Sequence, residues 1–191
     1  MSSNTACHAT DLDRLIDENR QALAQLRALV ERLSPGDYGR PFGADGRHTL
    51  GKHVRHIIDH YDALLGERVT DSAVDYEHRR REAALEQEPT LAAHRLAAIE
   101  RALPRFGDAG ASRPLALRYP LDASGDDLML ATSLERELAF LTSHTIHHMA
   151  VIGLLAEQCG HDLPTAFGVH PSTWRHWQRE ARSSRYAAGA R

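Results

Sequence analysis

Histidine is the residue whose number and spacing could do chemistry in this chain of 191 residues. Of its 13 histidines, six fall in two short segments: His53, His56 and His60, then His144, His147 and His148. His144 and His148 stand at i and i+4, so on a helix their imidazoles share one face a single turn apart and can converge on one ion. With Leu134, Leu141, Thr145, Ile152 and Leu155 forming the apolar stripe, His148 projects to its centre. His147 turns about 100° from His148 and reads as a supporting or surface group. Glu137 points to the same side as the pair, but seven residues before His144 it lies about 10 Å along the axis and does not easily join them. In the first segment, periodicity puts His53 and His60 on the flank of an apolar stripe and His56 at its edge. That favours His53 or His60 as a third ligand and leaves His56 open, since an edge position can face the seam between helices.

Three neutral imidazoles suit a borderline divalent ion such as zinc, nickel, cobalt or ferrous iron. Three protein ligands leave a coordination position open, where a water loses its proton near neutral pH or a substrate thiol binds as thiolate. A single buried histidine is more often satisfied by hydrogen bonds than by a metal. The metal reading gains its weight here because two separate segments offer imidazoles. The residues after His56 are Ile57, Ile58 and Asp59, which excludes HExxH proteolysis, and no GxSxG, Walker A or GxGxxG pattern occurs.

These side chains must be positioned by helices. Apolar residues recur at three- and four-residue steps over residues 10–33, with Thr10 as N-cap and Ser34, Pro35 and Gly36 as the stop. A loop follows to His48. Thr49 caps a second helix that reaches about Gly66, with the stripe Leu50, Val54, Ile57, Ile58, Tyr61, Leu64 and Leu65. Residues 69–88 read as a charged surface connection, in which Arg79, Arg80 and Arg81 form either a solvated face or an anion clamp at a pocket mouth. Pro89 opens a third helix. Leu115, Leu117 and Tyr119, then Leu128 and Leu130, alternate across a glycine-containing turn and predict a short β-hairpin. The fourth helix runs from about Ser133 to Gln158 and closes at Cys159 and Gly160. The expectation is an all-α fold, a four-helix bundle with one long crossover and a small hairpin between helices 3 and 4. Residues 1–191 form one domain in this reading, with an ordered core over about 10–177 and an Arg-rich, disordered tail.

With 23 Lys and Arg against 26 Asp and Glu, the formal net charge is -3, which argues against a nucleic-acid partner. No apolar run approaches the roughly 20 residues of a membrane span, and the opening MSSNTACHAT lacks the regions of an export signal. Two cysteines, Cys7 and Cys159, make no disulfide framework and fit a reducing cytoplasm.

The segments TLGKHVRHIIDHY (49–61) and SHTIHHMAVI (143–152) resemble the paired motifs of the DinB-like family of damage-inducible and related four-helix-bundle metalloproteins. The resemblance extends through residues 76–81, 136–138, 167–169 and 171–173. It implies one second-helix ligand followed three residues later by an acid, which is His56 with Asp59, and an HxxxH pair, which is His144 and His148. His53 and His60 then become neighbours of the metal. It further implies a divalent metal, zinc or nickel before iron, and thiol-dependent transferase or isomerase activity on a small molecule with a low-molecular-weight thiol. Homodimers occur among relatives, as do members with no assigned activity, so a non-catalytic metal-binding or stress-response protein is the alternative.

Overall fold

Side-chain caps start the helices that carry the histidines. The computed structural model describes residues 10–66, 73–108, 115–121 and 126–189. In α1 (Asp11–Val30), Thr10 accepts from Asp13 N while the Asp13 carboxylate accepts from Thr10 N, a reciprocal capping box. Thr49 accepts from Lys52 N at the head of α3 (Leu50–Leu65), and Ser133 accepts from Arg136 N at the head of α7 (Leu134–Gln158). Pro89 occupies the first turn of α5 (Pro89–Ala102). Gly160, at φ +83, ends α7 by adopting the left-handed conformation that lets His161 N bond back to Ala156 O. Short helices fill the connections: α2 (Pro35–Gly39), α4 (Ala84–Gln87) and α6 (Arg105–Asp108).

The chain is mostly helical. α1 packs on α5 and α7, and α3 packs on the same two, so four helices close a cycle around one core. Leu23, Leu26, Leu50, Val54, Ile57, Ile58, Leu96, Leu138, Leu141 and Ile152 lie wholly out of solvent inside it. Each such aliphatic side chain contributes about 1.5–3 kcal/mol by leaving water. A buried polar network fixes how α3 sits on its neighbours. Tyr61 OH donates to Asn19 Oδ1 at 2.6 Å, Thr145 Oγ1 donates to Tyr61 OH at 3.2 Å, and Asn19 Nδ2 donates to Leu15 O and Leu138 O. Such a network holds α1, α3 and α7 in one register, because sliding any of them strands a buried polar atom.

The expected hairpin is present as β2 (Leu115–Pro120) and β3 (Asp127–Thr132), antiparallel with Leu117 opposite Leu130. Residues 122–125 of its turn lie outside the described residues, as does Cys7. The all-α expectation broadly fits, with a small sheet beside the helices: β1 (Ala73–Asp75) pairs parallel with β2 and makes a three-stranded sheet of order β1-β2-β3. Three residues are too few to give a period-two signal, so the strand was hidden within the charged connection. Toward the C-terminus α8 (Pro171–Gly189) continues the chain, and Arg175 pairs with Glu18 of α1 at 2.5 Å. α7 has the length and composition to cross a bilayer, although no long uninterrupted apolar run is visible in it. Its inner face is committed to the core through Leu138, Leu141, Thr145, Met149 and Ile152.

Candidate metal centre

The two histidine segments meet where α3 lies against α7. Ring centres of His56, His144 and His148 are 5.0 Å (56–144), 4.5 Å (56–148) and 4.6 Å (144–148) apart. These separations bring the three rings into one cluster at the seam. His60 belongs to the same cluster, 4.4 Å from His56 and 4.0 Å from His144. Nitrogens of His56, His60 and His144 all lie within 4.8 Å of one another, the group of three that could hold an ion among the described residues. His56 and His144 are common to both triplets. The resemblance adds His148 as the third, and the side-chain geometry adds His60.

Helix phase explains the arrangement. The buried arc of α7 centres on Leu138, Thr145, Met149 and Ile152, so His148 stands on its flank beside His144, not at the middle of the stripe. Leu134 contributes less to burial than periodicity suggests, and Leu138, Thr142 and Met149 contribute more. His147 is exposed, as expected. On α3, His60 is buried and His53 and His56 are half-buried, which places all three along the seam.

Each ring's remaining nitrogen partly reveals its role. His60 Nδ1 lies 2.8 Å from the carbonyl oxygen of His56, which only accepts, so the proton is on Nδ1 and the lone pair on Nε2. That Nε2 faces Arg79 Nη1 at 2.9 Å. His53 and His148 approach through their Nδ1 atoms at 3.1 Å, and His48 stacks on His53. Nε2 of His144 and Nε2 of His53 are buried with no hydrogen-bond partner among the described residues. An orphaned ring nitrogen inside a group of imidazoles, where it carries the lone pair, is what a cation would satisfy.

Electrostatics favours the neutral, ligating form. Burial above all, with neighbouring histidines adding to it, pushes His56 down to about 2, and burial likewise pushes His148 down to about 3. His60 falls to about 3 and His144 to about 4, again chiefly through burial. Metal binding then displaces few protons at neutral pH.

Asp59, the acid three residues after His56, makes no hydrogen bond to an imidazole among the described residues. It is buried against Arg55, whose Nε also donates to Glu86 Oε1 at 2.6 Å, tying α3 to α4. Burial raises the Asp59 pKa against the pull of Arg55. Gly51 permits this close packing: a Cβ there would stand 2.0 Å from Glu86 O.

Sequence reasoning gave Glu137 no defined role, and it left out the aromatic wall beside the histidines. Glu137 is fully buried; it accepts from Tyr76 OH at 2.8 Å, from Thr132 Oγ1 at 2.5 Å and from Arg136 Nη1 at 3.1 Å. Tyr76 in turn stacks on His60 at 5.2 Å, and Phe140 stacks on His144 at 5.4 Å. On the sheet side, Tyr76 and Phe140 line a cavity of about 570 Å³ with Leu117, Arg118, Tyr119 and Arg136. Phe140, four residues before His144, was readable as its helical neighbour; Tyr76 was not, because it comes from the unforeseen strand β1 and its exit.

A segment of 122 residues is 26% identical to FK506-binding protein 5 of Rhizopus delemar, covering 63% of this chain and 32% of that protein. The chain thus spans about a third of the length of the curated relative it matches. No solved structure matches. The description of the DinB superfamily matches residues 9–152, from the head of α1 through both histidine segments. This chain belongs to the DinB superfamily.

Proposed function

We propose that this protein binds a divalent metal ion at His56, His144 and His148 and is a metal-dependent enzyme that activates a thiol or water toward a small-molecule substrate. The observation that carries the reading is the buried, unpartnered Nε2 of His144 among three further imidazoles. Zinc or nickel suits an all-imidazole donor set, with ferrous iron next. Such an ion supplies Lewis acidity, lowering the pKa of a bound water or thiol. The chain's own residues do the rest. His53 accepts from Nδ1–H of His148 in the tautomer in which His148 offers Nε2 to the ion. Phe140 and Tyr76 shield the cluster from water on one side and face the cavity, whose volume fits a small molecule and a low-molecular-weight thiol. In this reading the four-helix cycle is a four-helix bundle forming a single domain, working in the reducing cytoplasm, as a homodimer, with neither nucleic acid nor membrane as partner.

The test pairs zinc- or nickel-loaded protein with a thiol and a panel of electrophiles, alongside esters and amides. Thiol consumption or hydrolysis that His144→Ala abolishes supports the reading. A loaded protein that turns over nothing in either panel speaks for the second reading, a non-catalytic metal-binding or stress-response protein. That alternative is favoured by one observation: His60 supplies a fourth imidazole within reach of His56 and His144, enough to close the coordination sphere. Cobalt-substituted protein separates the two, since an enzyme keeps an exchangeable water on the ion and a closed site does not.

A further inference from the structure

Arg79 reaches the histidine cluster from the connection after β1. Its Nη1 lies 2.9 Å from His60 Nε2 and 3.3 Å from His60 Nδ1, and its Nε is buried with no hydrogen-bond partner among the described residues. No carboxylate stands within ion-pair distance of it among the described residues. Asp59, the acid whose charge acts on it most, is engaged by Arg55. A guanidinium taken partly out of water carries five donors in a fixed fork, and one neutral imidazole leaves most of them unused. Burial lowers the Arg79 pKa against the pull of Asp59 and Glu77. Two residues on, Arg81 adopts φ +48, a left-handed backbone that costs an arginine conformational energy and holds the run in its path. A partner for His60 alone explains neither the idle Nε nor this strain.

What would satisfy Arg79 is an oxyanion, which accepts two parallel N–H bonds from a guanidinium. We propose that Arg79 binds the oxyanion group of the substrate beside the histidines, so that the molecule acted on carries a carboxylate or a phosphate-type group. This rests on reading the cluster as an enzymatic metal centre, and it adds the substrate class. Arg79 is a binding residue in this account, since it touches the substrate and not the bond that changes.

The experiment titrates benzoate and inorganic phosphate by calorimetry into the full chain, zinc-loaded and chelated, for the wild type, Arg79→Gln, Arg79→Lys and the exposed neighbour Arg80→Gln. Wild type is expected to bind one of the two anions, which identifies the group. Arg79→Gln should weaken it by about tenfold or more, Arg79→Lys should recover part of the loss, and Arg80→Gln should match wild type. In the absence of anion Arg79→Gln should melt no lower than wild type, since it removes an underpaired buried charge; a purely structural arginine would lower it. Failure of wild type to bind either anion, or equal binding by Arg79→Gln, overturns the proposal. Arg79-dependent binding in a chain that takes up no zinc upholds the anion site and removes the metal reading. Zinc uptake at the histidines without anion binding does the reverse.

Discussion

His53 Nδ1 lies 3.1 Å from His148 Nδ1, so the two histidine segments are joined by a direct imidazole–imidazole contact across the seam of α3 and α7. With His148 Nδ1 protonated and donating to His53 Nδ1, Nε2 is the free ligating atom of His148. His53→Ala should therefore keep the metal but bind it about 10–100-fold more weakly, as loss of an orienting partner does. Competition with a chromophoric chelator measures this. Complete loss of metal would make His53 a ligand.

The choice between His60 and His148 as third ligand is open to a direct comparison. If His148 coordinates, His148→Ala lowers zinc affinity far more than His60→Ala, whose lone pair is already directed at Arg79. The opposite ranking, read in the same chelator competition, would assign the site to His56, His60 and His144.

Acid should destabilise the metal-free protein through these histidines. Their folded pKa values, about 2 to 4 for His56, His60, His144 and His148, lie below the 6.5 of a free imidazole. Both states are neutral above about pH 6.5, so stability there does not depend on them; below it the unfolded chain takes up protons that the folded chain refuses. The melting temperature of chelated protein should fall from pH 6.5 toward 4, and His56→Gln should flatten the fall. A wild-type curve flat over that window would refute the burial argument.

Gly51→Ala should destabilise the fold by about 1–3 kcal/mol or more, because its Cβ would meet the Glu86 carbonyl at 2.0 Å and backbone must move. Gly39→Ala, with nothing within 4 Å, serves as the control and should be neutral to stabilising by up to about 1 kcal/mol. Urea unfolding of both variants reads the difference. Equal midpoints would mean that α4 does not pack on α3 as described.

Tyr61→Phe should cost about 1–3 kcal/mol in the same assay, since Asn19 Oδ1 loses the donor it depends on while fully buried. A variant as stable as wild type would show that water replaces the hydroxyl.

Much of this was readable before any coordinates. Thr10, Thr49 and Ser133 mark their helices because a short hydroxyl before an apolar period has one efficient use, and the HxxxH spacing put His144 and His148 together on one face. The phase of that face was harder. Leu155 is buried as counted and Leu134 only partly so, whereas Leu138, Thr142 and Met149, left out of the stripe, pull the buried arc away from His148. Periodicity preferred His53 or His60 over His56 because an apolar moment locates the core, while a metal centre in a seam draws on residues at its rim. The Tyr76–His60 stack and the Arg79–His60 contact were illegible, since both depend on a three-residue strand pairing with a partner 43 residues later, Ala73 with Ala116.

The most direct measurement is the metal content of purified, zinc-reconstituted protein by elemental analysis, beside His56→Ala, His144→Ala and the exposed His147→Ala. A shared ion predicts about one divalent metal per chain in wild type and His147→Ala, and its loss in the other two. Wild type without stoichiometric metal, or His144→Ala with as much as wild type, would contradict it.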